Sequence, residues 1–475
     1  MSDRSAARLR WPWRRPGGRG DGVWRRPDFV RLWSSQTLSL VGSEVTLFAL
    51  PLSAIALGAG PKEMGWLAAA RFLPTLLLGL LVGTWVDRLP RRPLLIATDL
   101  AQGVVVAGVP LAALTGHLRL EVIYLAAFLV NTLAVLAEVA HTSYLPTLID
   151  RKRLMDGNSS IAVGQQVARV AGPSLAGALV QAATAPLALL ADAVSFVVSA
   201  VLLGTIRTRE PVRARPVGRP SPRELAREIG DGLRFLVGHP VLRTLTGVWG
   251  LYYCAFFLFW GQYPLYATRD LGLTPAAFGL VGSLSAIAGV AGALATRPVT
   301  ERFGLGRTMA GAVLFGGLGT LLLPVAGGPV FAAAAVLVLS EALIRSTDQL
   351  FYINYLSTSQ ALTPDGLRGR VQASVRVFTA GTAPIGALVG GVLGEAFGLR
   401  ATALVAGLGV LVAFAWLALS PVRSLRALPD DGLRSEEDVE ETPAAGSVPD
   451  AGRPAAARAG AEPAQQPAAP VSGAV

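Results

Sequence analysis

Cysteine, lysine and histidine are nearly absent from this sequence, and each absence removes a class of chemistry. The single cysteine, Cys254, excludes a disulfide within the chain and leaves no thiolate pair for a metal. Lys62 and Lys152 are the two lysines, and neither stands in a Gly-x-x-x-x-Gly-Lys-Ser/Thr loop. The chain therefore carries no phosphate-cradling P-loop and does not itself drive work with such an ATPase. His117, His141 and His239 are scattered without metal-ligand spacing. No serine–histidine–aspartate set, metal site or cofactor loop emerges, so no enzyme, no cofactor and no metal are expected. Charge is also scarce. Only 15% of the 475 residues are charged, against about a quarter in a soluble domain. Hydrophobic residues make up 52% instead, with a mean hydropathy of +0.50. Those values describe a polytopic membrane protein. The net charge of +11 would point to nucleic acid in a soluble chain. Here the basic residues fall in tails and loops on one face, so anionic lipid and topology account for them and no nucleic-acid partner is expected.

Long apolar runs follow one another from Phe29 onward, each long enough to cross a bilayer. They predict about twelve spans in two groups of six, residues 29–206 and 241–420. Flanking them are an Arg-, Trp- and Pro-rich tail (1–28) and an Ala-, Pro- and acid-rich tail (421–475), both expected to be disordered. Between the groups lies a linker, 207–240. Within it, Leu225, Ile229, Leu233 and Leu236 share one face of an amphipathic helix expected at the membrane surface. The loops then fix orientation. Connections on one side hold only Lys62, Arg119, Arg269 and Arg400. The alternate ones hold Arg88, Arg91, Arg92, Arg151, Lys152, Arg153, Arg297, Arg302, Arg307, Arg368 and Arg370. The positive-inside rule puts the arginine-rich end, and both termini, in the cytoplasm.

The loop after the second span reads Gly83-Thr84-Trp85-Val86-Asp87-Arg88-Leu89-Pro90-Arg91-Arg92. It is too short for a domain and too charged for hydrocarbon, so it is a tight turn at the surface. Glu301-Arg302 and Arg307 repeat it in degenerate form after the eighth span. Likewise Gly172-Pro173-Ser174-Leu175-Ala176-Gly177 in the fifth span is echoed by Gly381-Thr382-Ala383-Pro384-Ile385-Gly386 in the eleventh. Glycine and proline inside membrane helices allow close packing and bending.

The Gly-x-x-x-Asp-Arg-x-x-Arg-Arg loop resembles that of the major facilitator superfamily of secondary transporters. Tyr144-Leu145-Pro146-Thr147-Leu148-Ile149, Asn158, Gly172-Pro173, Asp192-Ala193-Val194-Ser195-Phe196 and Thr363-Pro364-Asp365-Gly366-Leu367-Arg368-Gly369-Arg370-Val371 are similar to the macrolide-efflux and enterobactin-exporter branch. The resemblance covers roughly Phe29 to Ser420, apart from the linker. It implies an all-α membrane protein of two pseudo-symmetric six-helix bundles in the bacterial inner membrane. It also implies export by alternating access against inward proton flow. The arginine that many exporters carry in the fourth helix is missing, since Leu120–His141 contains none.

A charge near a helix centre costs about 2.5–3.5 kcal/mol on insertion scales, so it faces the bundle interior. Glu44 lies mid-way along the first span and is a proton carrier, a site for cationic substrate, or a structural hydrogen-bonding group. Arg169 and Asp192 lie at similar depth and fit an ion pair as well as a coupling site. Glu341, Arg345 and Asp348 are spaced i, i+4, i+7 on one face. They suit a proton path or a cytoplasmic gate with Glu138 and Arg376. Trp249, Tyr252, Tyr253, Phe256 and Trp260 recur at helical spacing and line either a pocket for a bulky ligand or a lipid contact. The reading is a transporter exporting a small, partly hydrophobic compound with protons as the coupling ion. An uptake carrier is the alternative, and a sensor that has lost transport is a third. Substrate and oligomeric state are not legible in the residues.

Overall fold

The computed structural model describes residues 22–79, 82, 86, 89–208, 210 and 222–426, without the side chains of 222–226, 228–229 and 365. Both tails beyond those limits, and Gly83, Asp87 and Arg88 of the first loop, lie outside the described residues. The first six long helices are α1 (Pro27–Ala56), α2 (Pro61–Leu78), α3 (Arg91–Leu114), α4 (Leu120–Leu148), α5 (Leu154–Ala182) and α6 (Ala185–Gly204). The linker contributes α7 (Pro222–Gly238). The second group is α8 (Pro240–Trp260), α9 (Pro275–Phe303), α10 (Leu305–Leu322), α11 (Val330–Ala361), α12 (Arg368–Phe397) and α13 (Leu399–Leu419). Proline at the first turn opens α1, α2, α8 and α9, where its missing N–H costs nothing. Among the described residues, ten helices are long and apolar enough to cross a membrane. Of the twelve, α2 carries Lys62, Glu63 and Arg71 within its 18 residues, and α5 is too polar. Asn158, Gln165, Gln166 and Arg169 are all exposed along α5, as befits a helix that faces an aqueous interior.

The two groups are copies in space. In the first, α1 packs on α5 and α6, α3 on α4 and α6, and α2 on α4. In the second, α8 packs on α12 and α13, α10 on α11 and α13, and α9 on α11. Every pairing in one half has its counterpart six spans later, which is the symmetry a rocking transporter needs. The halves meet through α2 against α12 and α5 against α9. Both crossings depend on glycine. A Cβ on Gly65 would stand 2.7 Å from Ala387 O, and one on Gly391 3.1 Å from Pro61 O. Added atoms on Gly177 and Gly279 would overlap Pro275 O and Pro173 O. Ser174 also donates from its backbone N–H and its hydroxyl to Ser283 Oγ, at 3.0 and 2.7 Å.

These contacts gather at one end of the bundle. Buried apolar residues there form a core shared by both halves, from Val45 and Met64 to Tyr263 and Phe278. At the arginine-rich end the buried side chains fall into two separate cores, one around Phe29 and Tyr144, the other around Trp249 and Tyr355. Among the described residues, then, the halves are joined at one end and have separate interiors at the other.

The linker is anchored at both ends. Asp28 at the start of α1 accepts from the N–H and hydroxyl of Thr208, at 2.9 and 2.6 Å. Glu210 accepts the N–H groups of Arg91 and Arg92, at 2.9 and 2.6 Å, and so caps α3 with a carboxylate on its positive end. Arg92 reciprocates by donating from Nε to Leu203 O and from Nη2 to Gly204 O at the end of α6. Replacing Glu210 with Ala should lower stability by about 1 kcal/mol, read as a small drop in the detergent-solubilised melting midpoint. An unchanged midpoint would show that the cap carries no load. At its other end, α7 lies on α8 and α12, with Gly232 against Arg370 O and Asp231 paired with Arg370 at 3.5 Å.

Candidate functional site

The interior between the halves is lined by charge on one side and rings on the other. On α11, Glu341 is 1% exposed and accepts from Arg345 Nε at 3.0 Å. The i, i+4 spacing delivers both side chains to one face, as the sequence requires. Arg345 also lies with Cζ 5.4 Å from the Trp260 ring centroid, a cation over a π face. Tyr252, Tyr253, Phe256 and Trp260 of α8 enclose with Glu341, Ile344, Arg345 and Asp348 a cleft of about 90 Å3. The rings stack along α8 in a ladder: Trp249 on Tyr252 at 5.5 Å, Phe256 on Trp260 at 4.7 Å, Trp260 on Tyr263 at 5.0 Å. Trp249 itself is buried 5.1 Å from Phe351, so it backs the wall and does not line the cleft.

From the other half, Glu44 of α1 lies in the electrostatic field of Arg169, Arg71 and Arg345. Three helices besides its own thus present a cation to it, one of them across the interface. Gly172 makes that placement possible, because a Cβ there would overlap the Glu44 side chain. Asp348 is likewise in the field of Arg345 and Arg169. Three carboxylates and three guanidinia therefore share one interior.

Two further carboxylates are buried within the first half alone. Asp192 of α6, fully buried, accepts from Thr46 Oγ1 and from Ser195 Oγ at 3.0 Å. Asp99 of α3, 2% exposed, accepts from Ser199 Oγ at 2.6 Å. Gly42 lets α1 approach α6 here, since a Cβ would overlap Ser195 Oγ and Asp192 Oδ1.

Of the two readings of Arg169 and Asp192, the ion pair is corrected. Asp192 turns toward α1 and finds hydroxyls, while Arg169 faces the interior. Similar depth along the bundle axis places two residues on one level without saying which way each points. Glu138 and Arg376 are both exposed, and among the described residues neither is in an ion pair. Pro173 and Pro384 sit inside helices that continue through them. The two glycine motifs are not equivalent in use: Gly177 meets the opposite half, Gly386 meets Cys254 O of its own half, and Gly381 has only Leu76 Cδ1 nearby, at 3.5 Å. Arg71, Thr46 and Glu210 are not among the site residues the sequence singled out. A hydroxyl two residues from Glu44 was the available signal for Thr46.

A bundle built twice, with its polar interior where the two copies face each other, is the architecture of the major facilitator superfamily of transporters. A family model described as "Transmembrane secretion effector" matches residues 23–447, and the chain belongs to that family of the superfamily. The "Multidrug efflux pump Tap" of Mycobacterium tuberculosis (strain ATCC 25618 / H37Rv) is 28% identical over 394 residues, 82% of this chain and 91% of that protein. The "Uncharacterized MFS-type transporter YfiS" of Bacillus subtilis (strain 168) is 26% identical over 391 residues, 80% and 89% of the respective chains. Among solved structures, a bacterial homologue of the iron transporter ferroportin in an inward-facing state superposes with a TM-score of 0.67 at 20% identity, covering 84% of this chain and 99% of that one. The nucleoside transporter NupG does so with 0.64 at 14% identity, covering 82% and 98%. The chain is a multi-pass membrane transporter, and its family and relatives are not enzymes.

Proposed function

We propose that this transporter exports small, partly hydrophobic compounds in exchange for protons. The observation that carries the reading is Glu44, a carboxylate of the first half in the field of Arg169 and Arg71 and, across the interface, of Arg345, whose own side chain lines the aromatic cleft. As a carboxylate it attracts Arg345 across the interface. As a neutral acid it loses that attraction, so protonation changes how strongly the halves hold each other. An alternating carrier needs such a link between proton and conformation. The ring ladder of α8 offers flat apolar surface to a bulky compound, and Glu341 and Asp348 offer it negative charge. The positive-inside rule puts the arginine-rich end, where the halves have separate cores, in the cytoplasm. A compound would enter there and leave at the end where the halves now meet. The efflux names of the relatives point the same way. Uptake is the second reading, favoured by the balanced charge of the interior, three carboxylates against three guanidinia.

Everted membrane vesicles energised by a pH gradient test this. Macrolides, siderophores and lipophilic cations are offered to wild-type and Glu44→Gln protein. Substrate-dependent collapse of the gradient, lost in the variant, is expected. Equal collapse in the variant would remove Glu44 from the coupling path. No proton movement with any compound in folded protein would overturn proton-coupled export.

A further inference from the structure

A second cavity lies away from the cleft of α8 and α11. It lies at the arginine-rich end, where α9 turns into α10, and measures about 490 Å3. Gly304 makes that turn with φ 85°, a conformation costly for any residue with a Cβ. The chain after α13 is tied back onto it: Gly306 N–H donates to Leu425 O at 2.8 Å and Leu305 N–H to Arg426 O at 3.3 Å. Gly306 is needed for the fit, because a Cβ there would overlap Val422 O. The degenerate second copy of the loop motif thus forms one wall, and the segment following the last span forms the other.

The walls carry four guanidinium groups, those of Arg302, Arg307, Arg423 and Arg426. Among the described residues none of the four is in an ion pair. The one carboxylate of the lining, Glu301, points its charge at Arg297, 2.7 Å away. Four like charges around one cavity repel one another unless an anion enters. Guanidinium is suited to phosphate, which it grips with two parallel N–H donors. The rim is apolar. Phe303, 55% exposed, lines the cavity, and Leu419, 88% exposed, precedes the docked segment at the end of α13. A soluble ion has no use for those side chains, but the acyl chains of a lipid do.

We propose that this cavity binds the phosphate headgroup of an anionic membrane lipid. Its acyl chains run down beside Phe303 and the end of α13. Basic cavities between spanning helices at the membrane surface take such headgroups. The bound lipid bridges the α9–α10 turn and the end of α13, and so braces the second half at the end where it shares no core with the first.

The test uses the full chain in nanodiscs of phosphatidylcholine with increasing phosphatidylglycerol, reading retained lipid by native mass spectrometry and the melting midpoint. Phosphatidylglycerol should be retained and should raise the midpoint, while millimolar inorganic phosphate in phosphatidylcholine discs should do neither. Arg423→Gln/Arg426→Gln should weaken retention by about fivefold for each arginine removed. Arg151→Gln/Lys152→Gln, two exposed charges at the same end, should not. Should the glutamine pair fail to fold, Arg423→Lys/Arg426→Lys keeps the charge, loses the fork and should still weaken retention. Equal loss in the Arg151/Lys152 control would reduce the effect to general surface charge and overturn the site. A midpoint raised as much by phosphate as by lipid would overturn the lipid assignment.

Discussion

Gly177→Leu should abolish transport, lowering the rate more than about tenfold, while each half stays folded. At this crossing α5 runs against the start of α9. A Cβ alone would overlap Pro275 O and stand 3.1 Å from Gly279 Cα and 3.2 Å from Ala276 Cα. All three neighbours are backbone, so no rotamer change can make room. Inserting a side chain into a well-packed contact costs about 1–3 kcal/mol, and rigid backbone puts leucine at the upper end. The clash exists only while the halves touch at this end. Its cost therefore falls on one state of the cycle and not on the folding of either half. A 1.4 kcal/mol bias shifts a two-state population about tenfold, which sets the expected loss. Gly108→Leu is the control, because nothing lies within 4 Å of that position. The measurement is vesicle transport beside helicity and melting midpoint. Transport within about twofold of wild type for Gly177→Leu would show that the close approach of α5 and α9 is not required.

That crossing shows how far the sequence reaches. Gly172-Pro173 and Gly177 were legible as a small-residue stretch, and the echo at Gly381 and Gly386 as a repeat. That Gly177 meets the other half, while Gly386 meets Cys254 O of its own, was not. Identical motifs serve different contacts because a helix has several faces, and which neighbour each face meets is set by the whole bundle. The same limit explains Asp192. Its depth was readable from its place in the sixth span, but its direction depends on α1 coming close at Gly42 and offering Thr46. By contrast, Glu341 and Arg345 were legible as a pair because both lie on one helix at fixed spacing. Ten of the twelve expected spans are long apolar helices among the described residues, and those ten were legible as apolar runs. The polarity of α5 was also on display, in Asn158, Gln165, Gln166 and Arg169, and marks it as the helix that faces water. The Glu210 cap on α3 joins residues about 120 apart with no pattern to announce it.

Arg345→Met should destabilise the protein by about 2 kcal/mol, less than the roughly 3–5 kcal/mol for breaking a fully buried pair, because the Arg345 side chain is 37% exposed and water screens the loss. Glu341 is 1% exposed, and its hydrogen bond from Arg345 is the ion pair that justifies a carboxylate at that depth. The same substitution removes the cation over Trp260 and a second-half charge whose field reaches Glu44. A stability loss alone would not separate these roles, so the double variant Glu341→Gln/Arg345→Met carries the test. Replacing both members of a buried pair with neutral groups of similar size is often close to neutral for stability. The melting midpoint should therefore return most of the way to wild type. Transport should not return, because neither Glu341→Gln nor methionine restores a charge facing Glu44. A double variant that regains both stability and transport would confine Arg345 to neutralising Glu341, and Glu44 would then act through Arg169 and Arg71 of its own half. One that regains stability alone places Arg345 on the path by which a proton on one half is felt by the other.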